Sequence, residues 1–298
     1  MMSSKYYTAR GARTALLLAM FVAALAASFS ANGEPAMWVI RDKDSTIYLI
    51  GTVHLLRHET EWASPKLDKA LAESSELWLE VPDADDQQLA AQLIQRYGID
   101  SKKPLSQKLN FIEKEKLSKL AADYHIPAHN LETLQPWTVA MVFAVLPIQK
   151  AGYDPNSGVD RILQNKAKEK GEKIEGFETL EEQVRFLADL SEKEQIAFLD
   201  DTFEDVAEGI EKLDKIAVAW VNGDTRTIND LLVNEMKKEF PTLYEKLIVE
   251  RNVRWSEKIE KMLQRSGVQL IAVGAGHLTG ADSVQSQLAK RGITAAPY

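Results

Sequence analysis

The 298-residue sequence contains no cysteine. That removes disulfide staples, thiolate nucleophiles, cysteine-ligated zinc and iron–sulfur clusters together, so any metal must be held by histidine and carboxylates. There is also no excess of positive charge. Against 44 Asp and Glu stand 36 Lys and Arg, a formal net charge of −8, and no basic cluster interleaved with aromatics marks a phosphate-binding face. Nucleic acid is therefore not expected as a partner. Long apolar runs are missing beyond the N-terminus: the longest, Val139 to Ile148, carries Pro147 and reaches about half the ~20 residues of a membrane-spanning helix. The G-x-S-x-G, Walker and H-E-x-x-H signatures are absent. Gly274, Gly276 and Gly280 have the wrong spacing for a dinucleotide loop, and only eighteen residues follow them, too few for a second strand and its ribose-binding acid.

What is present begins with a targeting pattern. Lys5, Arg10 and Arg13 precede an uncharged stretch, Thr14 to Gly33, with an apolar heart from Ala15 to Ala27 and an A-x-A cleavage candidate at Ala24, Leu25, Ala26. This predicts a signal peptide over 1–31, with an uncleaved anchor as the alternative. Removing its three positive charges takes the net charge from −8 to −11, so the exported domain is acidic and is not expected to hug anionic lipid. The expected location is periplasmic or extracytoplasmic. The remaining chain, 45% apolar over its full length, has ample material for a core.

Trp38 to Arg41 and Ser45 to Val53 are β-branched and aromatic runs around the turn-former Asp42-Lys43-Asp44, a hairpin pattern. Ser64-Pro65 opens a helix, and Glu76 to Val81 follows as a strand. From about 85 to 151 the apolar spacing is helical, punctuated by Pro104, Pro127 and Pro136. A turn at Gly152 to Pro155, a short helix, a strand at Glu172 to Phe177 and the helix starts Thr179-x-x-Glu182 and Ser191-x-x-Glu194 come next. Helix formers then dominate 191 to 266, with breaks near Asn222-Gly223-Asp224 and Pro241. The chain closes with the strand Gln269 to Val273, a glycine-rich turn, a helix from about Ala281 and a strand near Ile293. The pattern predicts an α/β fold: one mixed central sheet flanked by helices, a single domain over 32–298 with a helical insertion between core strands at about 85–151.

Two strands end alike, Ile47 to Ile50 in Gly51-Thr52-Val53-His54 and Gln269 to Val273 in Gly274-Ala275-Gly276-His277. Ligands of open α/β sheets bind outside the carboxyl ends of strands, where glycine permits sharp turns and close approach. Alone, each imidazole reads first as a hydrogen-bonded structural group; it is the pair in like contexts that gives a shared site equal weight. His54 and His58 are four apart, but His54 ends a strand-like run, so a helical metal pair is not expected. Glu80 closes the third strand and Glu178 follows the fourth; a surface acid and a helix-dipole partner are their plainer readings. Two histidines with carboxylates suit Mn²⁺, Fe²⁺, Co²⁺ or Zn²⁺. Arg251 and Trp255 stand one helical turn apart beside Asn252, otherwise a surface ion pair and a core aromatic.

GTVH at 51–54, LWLEV at 77–81, GVDRIL at 158–163, GFETLEEQ at 176–183, ERNVRW at 250–255 and VGAGHLTG at 273–280 resemble, in order and spacing, the TraB/GumN family. That family is similar to the Tiki metalloproteases and, more remotely, to the erythromycin esterase and ChaN-like haem-binding proteins. The resemblance implies an α/β core with both G-x-x-H motifs at its centre. It implies His54 and His277 as metal ligands or catalytic histidines and Glu80 as ligand or base, with Asp160, Glu178, Gln183, Arg251 and Asn252 at further family positions. The leading expectation is an exported divalent-metal-dependent hydrolase of peptide or small-molecule substrates, peptidase-like, with Glu178 as general base and Arg251 with Asn252 stabilising an oxyanion. The alternatives are a non-catalytic haem- or metal-binding or ligand-sequestering protein and a scaffold with structural histidines.

Overall fold

Met37–Arg41 (β1) turns at Asp42, whose carboxylate accepts the Ser45 amide at 2.8 Å and the Ser45 hydroxyl at 2.6 Å, into Ser45–Thr52 (β2). The two pair antiparallel, Met37 opposite Ile50 and Arg41 opposite Thr46, which is the expected hairpin. The computed structural model describes residues 33–298 except 63, 204 and 205; the signal segment expected over 1–31 lies outside the described residues. The further strands are Leu56–Arg57 (β3), Glu76–Leu79 (β4), Tyr153–Asp154 (β5), Lys173–Gly176 (β6), Gly267–Gly274 (β7) and Ala296–Pro297 (β8).

Among the described residues one sheet has six strands in the order β6-β4-β7-β2-β1-β8, and β3 pairs with β5 in a second, two-stranded sheet. Strands β6, β4, β7 and β2 are mutually parallel, while β1 is antiparallel to both its neighbours. Parallel strands covered on both faces read as unbroken apolar runs, as IYLI and LIAV do. Ile47, Leu49, Ile271 and Val273 face a core completed by Trp255, Ile259, Met262, Val284 and Leu288, from the helices Glu250–Met262 and Val284–Ala289. Two more helices lie against β7, Pro65–Glu73 and Val159–Lys170. Pro65–Glu73 starts as read: the Ser64 hydroxyl accepts the Leu67 amide, with proline at the first turn.

The chain forms two compact units. Among the described residues the sheet unit holds 33–83, 152–179 and 212–298; the helical unit holds 84–151 and 180–211. In the helical unit, prolines and caps start the helices as their chemistry dictates. Asn110 with Glu113 caps Phe111–Asp123 reciprocally, as Ser191 with Glu194 caps Glu192–Asp201. The apolar run at Val139 to Ile148 lies in the 15-residue helix Pro136–Lys150, most of whose residues are buried and which packs against Glu192–Asp201. No helix among the described residues is long and apolar enough to cross a membrane.

The last strand begins at Ala296, later than the residue-293 reading. Gly292, at φ 78°, ends the preceding helix in a left-handed turn, and the Ile293 amide bonds back to the Leu288 carbonyl at 3.0 Å. Ile293 therefore belongs to the helix cap and packs on the core.

Candidate functional site

Parallel register brings four strand ends to one rim: Thr52 lies opposite Gly274, and Leu79 opposite both Ala272 and Gly176. The chain leaves these strands into His54, Glu80, Glu178 and His277. The two G-x-x-H turns touch through their glycine: a Cβ on Gly51 would stand 2.9 Å from the Ala275 Cα, closer than side chains tolerate.

At the centre of this rim is Arg251, 2% exposed. It lies in the stripe Arg251, Asn252, Trp255, Ser256 and Ile259 that the Glu250–Met262 helix buries. All five of its N–H groups have acceptors. Nε donates to both Glu178 oxygens at 2.9 and 3.0 Å, and one terminal nitrogen meets Glu80 Oε2 at 2.5 Å and Glu178 Oε2 at 2.9 Å. The other donates to the Leu247 carbonyl at 3.1 Å and to His277 Nε2 at 3.0 Å. Leu247 sits in the π-helical segment Glu245–Val249, just before this helix; such widened turns recur at functional sites.

This bond sets the state of His277. Arginine has no lone pair to offer and stays protonated, so Nε2 must be the acceptor and the ring hydrogen sits on Nδ1. From there it reaches Asn252 Oδ1 at 2.6 Å, and the Asn252 amide nitrogen donates to the Asp282 carbonyl at 2.8 Å. His277 is fully buried, with its ring 4.3 Å from that of Trp255. Burial first, then the Arg251 charge, push its pKa down to about 3 against the pull of Glu80. Burial would raise Glu80, but Arg251, both histidines and the Gly274 amide, 2.7 Å from Oε1, hold it well below the usual carboxylate range.

His54 has the opposite surroundings. Its side chain is 25% exposed, and Nδ1 lies 3.1 Å from Asp160 Oδ1. Burial favours the neutral ring, yet the charge and hydrogen bond of Asp160, helped by Glu80, raise the pKa to about 9. Asp160 is in the first turn of Val159–Lys170, where a carboxylate suits the helix dipole. That helix docks on the end of β2: the Val159 amide donates to the Val53 carbonyl at 2.9 Å, and a Cβ on Gly158 would meet the His54 carbonyl oxygen at 2.2 Å.

His54, Glu80, Glu178, Arg251, Asn252 and His277 thus form one neighbourhood. Gln183 lies on Leu180–Ala188 in the helical unit, and His58 is exposed and off any helix. Sequence reading gave Asp160 no role and noted Trp255 one turn from Arg251 only as a core aromatic; its indole donates to Glu178 Oε1 at 3.1 Å. Two imidazoles and a carboxylate are suitable donor types for a borderline divalent ion, but as arranged they do not fit one. The Nε2 lone pair of His277 and Oε2 of Glu80 are directed at Arg251, and an ion would have to displace a cation from both. Among the described residues no group of three or more His, Asp or Glu side chains is placed to hold an ion. Glu178 accepts from Arg251, Trp255 and, at 3.4 Å, Arg254.

Fold and rim together define an open-sheet α/β protein with its polar centre at the carboxyl ends of parallel strands. Residues 36–297 match the model of the TraB/PrgY/gumN family, and the chain belongs to that family. It is similar to the uncharacterized protein YbaP of Escherichia coli (strain K12), at 25% identity over 254 residues, 85% of this chain and 92% of YbaP. It is also similar to an uncharacterized protein of Treponema pallidum (strain Nichols), at 21% identity over 279 residues, 89% of this chain and 83% of that one. No solved structure matches the chain.

Proposed function

We propose that the carboxyl rim is the reaction centre of an exported hydrolase of peptide-like carbonyl substrates, with His54 the residue that meets substrate. The observation that carries this is the His54–Asp160 pair, partly open at the edge of an otherwise buried ionic cluster. Burying Arg251, Glu80 and Glu178 costs desolvation that an apolar core avoids, and titratable groups pushed strongly apart are a mark of functional sites. The likeness to Tiki proteases supports hydrolysis, and the Lys5 to Ala27 pattern supports export.

With its pKa raised to about 9, His54 is an imidazolium at neutral pH. It donates to the substrate carbonyl oxygen and stabilises the oxyanion as water adds to the carbon. It then passes its proton to the leaving amine as the C–N bond breaks, and the proton of the added water returns to the ring. Asp160 holds the ring by Nδ1. Arg251, Asn252 and Glu178, bonded to one another's neighbours inside the cluster, act as positioning residues. The test is cleavage of a degenerate fluorogenic peptide library by the chain from about residue 31, beside His54→Gln. Turnover is expected to fall ~100-fold or more; unchanged hydrolysis in His54→Gln overturns the assignment.

A further inference from the structure

We propose that Arg251 is the resident cation of this centre: its guanidinium takes the acceptors that a divalent ion would need, and replacing it with a small neutral side chain turns the rim into a divalent-ion site. The geometry is closed from both sides. Five N–H groups meet Glu178, Glu80, His277 Nε2 and the Leu247 carbonyl, none beyond 3.1 Å. In turn the acceptors are held by partners that leave them aimed at Arg251: Asn252 fixes the His277 tautomer, the Gly274 amide holds Glu80 Oε1, and the Trp255 indole holds Glu178. Take the guanidinium away and two buried carboxylates face an imidazole lone pair across the space it filled. Two carboxylates cannot both stay ionised there without a positive charge, and an N,O donor set of this kind suits Co²⁺, Zn²⁺ or Mn²⁺. The sign and position of the charge are then conserved while its carrier changes. Nothing in this depends on the hydrolase reading, because the readout is ion binding and not turnover.

The experiment titrates Co²⁺ into the wild type, Arg251→Lys, Arg251→Ala and Arg251→Ala/His277→Ala, following visible absorption and melting temperature, and adds Zn²⁺ to ¹⁵N-labelled wild type while observing the His277 ring. The wild type and Arg251→Lys are expected to show no ligand-field band, and both His277 nitrogens to stay unmoved by Zn²⁺. Arg251→Ala is expected to develop a band saturating at about one ion per chain, absent from the double variant, and to melt higher with Co²⁺ because a ligand stabilises the state it binds. That stabilisation keeps the test decisive if Arg251→Ala folds poorly alone. Zn²⁺ moving both His277 nitrogens in the wild type overturns the proposal, as does an Arg251→Ala chain with neither a band nor a Co²⁺-dependent melting shift.

Discussion

The carboxyl ends of β2 and β7 carry the same G-x-x-H spelling and lie side by side, yet the two imidazoles do opposite things. His277 is sealed under Trp255, neutral, with one nitrogen bound by Arg251 and the other by Asn252. His54 is partly open and charged, held by Asp160. One ring meets a guanidinium and an apolar wall, the other a carboxylate. The motif therefore sets where an imidazole stands and the partner sets what it can do, as in other sites where paired titratable groups are driven apart.

The contrast breaks most completely if Arg251 is lost. Arg251→Met leaves Glu80 and Glu178 buried without their cation, and urea unfolding should show a loss of about 3–5 kcal/mol, the usual cost of removing one partner of a buried pair. Asn252→Leu attacks the His277 side alone: a buried Nδ1–H loses its acceptor, for about 1–3 kcal/mol by the same measurement. On the His54 side Asp160→Asn should cost no more than about 1 kcal/mol, as expected for a part-exposed pair, while bringing the His54 pKa from about 9 towards its ordinary 6.5 in an NMR titration.

Stability against pH sharpens the comparison, because the two shifts have opposite signs. His277 titrates near 3 when folded and near 6.5 when unfolded, so its contribution is present above 6.5 and is lost as pH falls towards 3. Glu80, also depressed, adds to the acid loss below its ordinary 4.5. His54 is raised, so its contribution is present below 6.5 and is lost as pH rises through about 9. Together these groups favour a maximum near pH 6.5 in melting temperature. His277→Gln is expected to flatten the acid side only and Asp160→Asn the alkaline side only.

Much of this could be read in the residues. The hairpin, the parallel strands, the capped helices and the gathering of His54, Glu80, Glu178 and His277 at one rim follow from patterns of two and 3.6 residues and from where strands end. Arg251 was legible as a candidate, but its burial was not, because a charged residue on a helix is ordinarily a surface group and only tertiary packing turns that face inward. Asp160 lies 106 positions beyond His54, a separation over which no local pattern acts. The displaced last strand turned on the left-handed conformation at Gly292, which composition does not display.

The most direct test is to follow the imidazole ¹⁵N and ¹³C signals of the histidines with pH, assigning His54 and His277 by substitution. The account predicts His54 titrating near 9 and His277 remaining a neutral Nδ1–H tautomer down to about 3. Two histidines that titrate together near 6.5, or a His277 whose proton sits on Nε2, would contradict it.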